Sequence, residues 1–250
     1  MTRLIRAEAL KLRSTRAFRL LAVGALALVA VAVAATSAAT TYTPGTDPAH
    51  ATLALAGLAQ TFALLAGTLA VTSEFRHKTI IPAVLITPRR TPLLAAKLIT
   101  LTAAGLAFGL LATSAAAAIA MPILAARHVV SQVGGAQLAG IIGGGAVATA
   151  LCAALGVGIG TVIRNQVGAI IAVLGLLYVA EPLLGFIPGI GAAVQTFGLG
   201  GLASGATGTT GFPASAHLLG QGPAALTLAG YALTVLLAGA VLLRRRDITA

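Results

Sequence analysis

The densest interior run of ionisable side chains, Glu74-Phe75-Arg76-His77-Lys78, stands between two long apolar stretches and is followed by Thr79. An acid, an aromatic and several bases in succession suit a protein–protein contact, with charge to orient it and a ring to bury. A solvated loop carrying orientation charges accounts well for Arg89 and Arg90 and less well for the mixed cluster from Glu74 to Lys78. Both readings stay open from the residues alone. Elsewhere chemistry is sparse. There is no G-x-x-x-x-G-K-[ST] loop, so ATP is not bound in that way, and no H-E-x-x-H. His50, His77, His128 and His217 are scattered, and the single cysteine, Cys152, lies in an apolar run as a packing residue. No catalytic, cofactor-binding or metal site is expected, and enzyme activity is not. Glu8, Glu74 and Glu181 are the acids placed to pair with cations near a membrane. Glu181, followed by Pro182, falls inside an apolar run, where a carboxylate costs about 3 kcal/mol at the bilayer centre. It lies about 21 Å along its helix from Val167, towards one end of that run, and is expected to be either structural or directly functional.

The elements that position these residues follow from composition. The chain has 250 residues, of which 58% are hydrophobic and only 8% charged. A soluble domain carries roughly 25% charged residues, so a water-facing surface cannot be built here. The mean hydropathy is +1.00. Apolar runs of about 20 residues, rich in Ala, Leu, Gly and Val, predict transmembrane helices. A β-barrel would instead alternate apolar with polar residues and carry aromatic girdles. The expected fold is all-α.

The spans are read at about 20–39, 51–72, 98–121, 137–160, 167–187 and 223–243, in one domain covering 1–250. Residues 1–19 carry Arg3, Arg6, Lys11, Arg13, Arg16 and Arg19 among Leu4, Ile5, Leu12 and Phe18. That pattern predicts an amphipathic helix lying on an anionic leaflet. A cleavable signal peptide is the competing reading of this end and is disfavoured by the length of the apolar run. The net charge of +11 invites a nucleic-acid reading, but the cations flank hydrophobic runs, where orientation charges belong. With six spans and a cytoplasmic start, only Arg127 of the 16 lysines and arginines falls outside. Five spans would export either the basic N-terminal stretch or Arg244-Arg245-Arg246. Gly105/Gly109, Gly140/Gly144 and Gly156/Gly160 have the spacing of close helix packing.

Four stretches carry a resemblance. Arg6-Ala7-Glu8-Ala9-Leu10-Lys11-Leu12-Arg13-Ser14-Thr15-Arg16 resembles the E-x-x-K-x-R-[ST]-x-R opening of type-2 ABC transporter permeases of actinobacterial kind. Ser73-Glu74-Phe75-Arg76-His77-Lys78-Thr79-Ile80 is similar to that family's S-E-[YF]-R-x-G-T-I segment, with Lys78 where Gly is usual. Thr87-Pro88-Arg89-Arg90 followed by Lys97 resembles the stretch that closes the loop, and Glu181-Pro182-Leu183-Leu184 the E-P-L-L late in span five.

The resemblance implies a dimeric membrane permease, homodimer or heterodimer, in the bacterial plasma membrane with both termini cytoplasmic. A separate ATP-binding subunit would bind the ATP and drive export. Glu74, Phe75, Arg76, His77, Lys78 and Thr79 would then dock that ATPase through a short coupling helix between spans two and three. Arg89, Arg90 and Lys97 would be interfacial anchors among membrane lipid. Glu181 and Pro182 would stand at the outer gate or pathway, and the uncharged stretch 188–222 would form a re-entrant extracellular segment. A pathway lined by Ala, Gly, Leu and Thr fits an amphiphilic or hydrophobic cargo. The alternatives are a partner-independent secondary transporter or channel, and a non-transporting assembly or immunity protein.

Overall fold

The computed structural model describes residues 1–40, 47–77, 90–209 and 218–245, with side chains at 90–91 and 243–245 outside that description. Helix α1 (Thr2–Ser14) meets α2 (Arg16–Ala39) at Thr15, whose backbone is extended. The Thr15 hydroxyl bonds back to the Lys11 carbonyl at 2.7 Å, closing α1 there. The sequence places the interfacial helix at 1–19; the structure ends it at Ser14. Arg16 and Arg19 therefore belong to the first turns of the span, because a bonded-back hydroxyl and one extended residue suffice to stop a helix.

Asp47 caps α3 (Pro48–Leu53), accepting the Ala49 and His50 amides, with Pro48 pre-set for a first helical turn. A 3-10 turn (Ala54–Gly57) leads into α4 (Leu58–Arg76), and these three pieces make the second apolar span. Helix α5 (Arg90–Ala126) ends at His128, which adopts φ 56; His128 N–H bonds Ala125 and Val129 N–H bonds Leu124, a Schellman closure. Helix α6 (Gly135–Val162) follows, then α7 (Gln166–Gly175), a π-helical turn (Leu176–Ala180) and α8 (Glu181–Gly185), which together form one span. The wide turn sits just before Pro182, where a proline ring crowds the carbonyl four residues back. Two short helices, α9 (Gly191–Phe197) and α10 (Leu199–Thr207), precede α11 (Gln221–Arg245). Among the described residues there is no strand, and six helical segments are long and apolar enough to cross a membrane.

Helix α6 is the centre of the bundle. It packs on α4, α5, α11 and α10, while α2, α7 and α11 stand at the periphery with apolar faces exposed. Close approach makes this possible. A Cβ added at Gly156 would run into the Leu64 carbonyl, and one at Gly67 into that of Ala153, so α4 and α6 touch backbone to backbone. Gly105 and Gly109 of α5 face Ala153 and Thr149 of α6, and Gly144 faces Ala206 and Thr207 of α10. The glycine pairs read from the sequence are thus spent inside the chain. Buried threonines satisfy their hydroxyls on their own helices: Thr68 on Leu64 at 2.9 Å, Thr113 on Gly109 at 2.8 Å and Thr149 on Gly145 at 2.7 Å.

Candidate functional site: a buried ionic cluster and a capped short helix

Three elements converge at the end of the bundle that carries α1. Glu8 and Lys11 lie one turn apart on α1, Glu74 is in the last turn of α4, and Lys97 lies two turns into α5. The Lys97 ammonium is 2.9 Å from Glu8 Oε2, 2.9 Å from Glu74 Oε1 and 3.1 Å from the Ala70 carbonyl. An ammonium has three donors, and all three are used. Lys11 completes the ring, pairing with Glu8 at 3.3 Å and with Glu74. Two carboxylates and two ammoniums balance. Lys97 is 4% exposed, Glu74 8% and Glu8 10%, whereas Lys11 is 46% exposed. Unpaired, such charges would cost several kcal/mol each to bury.

Burial by itself would raise the Glu8 carboxyl, but Lys97 and Lys11 outweigh it and hold the group below its ordinary value. For Lys11, burial pulls downward, and Glu74 with Glu8 overcome it, leaving the ammonium above its usual range. An apolar collar of Leu12, Phe18, Phe75, Leu94 and Leu98 packs around this end of the bundle.

The structure separates the residues that the sequence groups together. Glu74 turns inward to the cluster. Phe75 is half-buried with the Arg164 guanidinium 5.2 Å from its ring centre, and Arg76 and His77 are exposed. Arg76 also donates to Gln166 at 3.2 Å, tying the end of α4 to the start of α7. Lys78 and Thr79, the expected coupling helix and Arg89 lie outside the described residues; Arg90 opens α5. Lys97, expected among headgroups, meets two carboxylates instead. The sequence names Glu8 only as an acid able to pair with a cation. Its place three residues before Lys11 was a signal for the pair on α1, but the partner on α5 was not legible.

At the opposite end, Glu181 meets α10. Its Oε1 accepts the Leu199 amide at 2.6 Å and its Oε2 the Gly200 amide at 3.0 Å. The carboxylate supplies the cap that Gly198, lacking a side chain, does not, and its charge suits a helix N-terminus. Helix α10 ends on Gly208 at φ 79, the left-handed conformation that glycine adopts freely. Gln60 donates to Thr207 Oγ1 at 2.7 Å, and Gln221 donates to the carbonyls of Thr207 and Gly140, each at 3.0 Å. Between the 3-10 turn, α4, α6, the π turn and α10 lies a cavity of about 260 Å³ whose wall includes Gln60, Thr61, Tyr178 and Ser204. Thr61 and Tyr178 share a hydrogen bond of 3.1 Å.

Arg127, the lone cation on its side of the charge count, closes α2 by donating to the Ser37 and Thr40 carbonyls at 2.6 and 3.1 Å. Nearby Asp47 accepts from Ser131 at 2.9 Å and the Gln132 amide at 2.7 Å. Burial works against its ionisation, and these bonds, that from Gln132 first, hold its carboxyl below the ordinary value.

None of the curated proteins matches the chain. The family model described as "ABC-2 family transporter protein" matches residues 4–180, from α1 to the π turn, and so takes in the whole ionic cluster. With helices fit to span a membrane and a family match over most of its length, the chain is a multi-pass membrane protein that belongs to the ABC-2 transporter family, as a permease of an ABC transporter.

Proposed function

We propose that the chain forms half of a dimeric export pathway for an amphiphilic or hydrophobic substrate, driven by a separate ATP-binding subunit. The subunit docks on the end of the bundle that carries α1, which faces the cytoplasm of a bacterial plasma membrane. Family membership implies an ATP-binding partner in general. The ionic cluster carries the rest. Glu74, in the last turn of α4, and Lys97, two turns into α5, stand on either side of residues 78–89, and both grip Glu8 of α1 or its neighbour Lys11. A push on the end of α4 or the start of α5 is therefore shared by α1, α4 and α5 at once. Arg76 and His77, exposed at the end of α4, are the contact residues, and Glu74 and Lys97 are positioning residues behind them. The distribution of cations supports the orientation. Pairing with a second permease is carried over from the family resemblance, since the uncovered apolar faces of α2, α7 and α11 equally suit lipid.

ATP turnover by the partner in proteoliposomes, with and without this chain, tests the reading. Arg76→Ala with His77→Ala should lower the melting temperature in detergent only slightly, through loss of the exposed bond to Gln166, and abolish most of the permease-dependent change in turnover. Unchanged co-purification and turnover in that variant would sink the docking assignment. Export without any ATP-binding partner would favour a secondary transporter.

A further inference from the structure

Beside the ionic cluster a cleft of about 440 Å³ opens between the α1–α2 elbow and the faces of α4 and α5. Its body is apolar, with Phe18, Phe62 and Phe108 on its walls and Ala104 on its α5 side. Its floor is recessed because Gly105 and Ala153 bring α5 and α6 together there; a Cβ on Gly105 would lie 2.9 Å from that of Ala153. From Leu101 to Phe108 the cleft follows α5 for about 10 Å at 1.5 Å per residue. Such a slot offers water few hydrogen-bond partners and suits hydrocarbon better.

The mouth is of opposite character. Arg13 and Arg19 line it, and both are exposed. The chain has only five acidic residues. Glu8 and Glu74 are matched by Lys11 and Lys97, Asp47 and Glu181 sit at the other end of the bundle, and Asp247 lies outside the described residues. Among the described residues neither arginine is paired with a carboxylate. Two guanidiniums over an apolar slot complement an anion that carries a hydrocarbon tail.

We propose that this cleft is a binding site for an anionic phospholipid, with one acyl chain between the elbow and α4/α5 and its phosphate held by Arg13 and Arg19. The bound lipid wedges the elbow against the bundle and so sets the angle at which α1 presents Glu8 to the cluster. Free phosphate would leave the slot empty, and a neutral lipid would leave the arginines unmatched.

The test is delipidation of the purified chain in detergent, followed by titration with phosphatidylglycerol, phosphatidylcholine or soluble glycerophosphate. Native mass spectrometry counts retained lipid and thermal melting reads its effect. Wild type should retain one phosphatidylglycerol per chain, with a rise in melting temperature that the other two ligands do not give. Arg13→Gln with Arg19→Gln should weaken retention on the order of thirtyfold, as expected for two basic residues facing an anionic surface. Arg3→Gln with Arg6→Gln, which removes the same charge away from the cleft, should not. Ala104→Phe, on an exposed position that fills the slot, should abolish retention; Ala66→Leu serves if that variant fails to fold. Equal retention of both phospholipids would overturn the proposal. Retention surviving in the filled variants would overturn it too, showing attraction to the basic surface alone, as would stabilisation by glycerophosphate.

Discussion

Lys97 and Glu74 stand 2.9 Å apart although 23 residues separate them in the chain. Between them the chain passes from the second span to the third, and Glu8 approaches the same ammonium from α1 at 2.9 Å. Removing the lysine leaves two carboxylates buried with only the half-exposed Lys11 between them. Lys97→Met should cost about 3–5 kcal/mol, the usual penalty for breaking a buried pair by one partner. Lys97→Met with Glu74→Gln should recover part of that loss, since one uncompensated charge goes with it. Thermal melts followed by size-exclusion chromatography check both, and an additive double variant would contradict the coupling.

The pH dependence of the cluster has a defined sign at each limb. Glu8 is depressed below 4.5, so its contribution is complete above that value and is lost as pH falls through the lower folded value. Lys11 is raised above 10.5, so its contribution is complete below that value and is lost as pH rises through the higher folded one. The expected result is a plateau in melting temperature between these limits and a fall outside them. Asp47, also depressed, adds to the acid limb. Glu8→Gln should shallow the acid limb and leave the part due to Asp47, which melting curves across pH will resolve.

Glu181 separates capping from a role in a pathway. Glu181→Gln keeps one carbonyl acceptor for the Leu199 or Gly200 amide and should cost about 1 kcal/mol. Assembly and transport should persist. Glu181→Leu keeps no acceptor, and loosening of α10 should appear as faster amide exchange at Leu199 and Gly200. Transport that fails in the Gln variant despite normal assembly would point to direct contact with substrate instead.

The α4–α6 contact leaves no room for a side chain on either face. Gly156→Val drives a Cβ into the Leu64 carbonyl, with two methyl groups beyond it still to place. Overpacking typically costs about 1–3 kcal/mol, and here the obstacle is backbone, which cannot rotate away. Loss of monodisperse protein is expected. Gly143→Ala, in open space on the same helix, should be silent in the same assay.

The sequence by itself determined the number and order of the spans, because a chain with 8% charge has no other means of covering its surface. It also determined where polar chemistry could be, since charges confined to helix ends mark themselves. It did not determine that Glu74 faces inward while Arg76 and His77 face out. That depends on the turn of α4 relative to α5, which a one-residue rotation of about 100° would reverse. Nor could it pair Glu8 with Lys97, 89 residues apart. Proximity across three helices is a property of packing, and that packing is set by glycines whose facing backbones only the tertiary structure reveals. Glu181 shows the same division. The sequence marked a costly carboxylate in an apolar run, and the fold showed what offsets that cost: two amides of a short helix with no cap of its own.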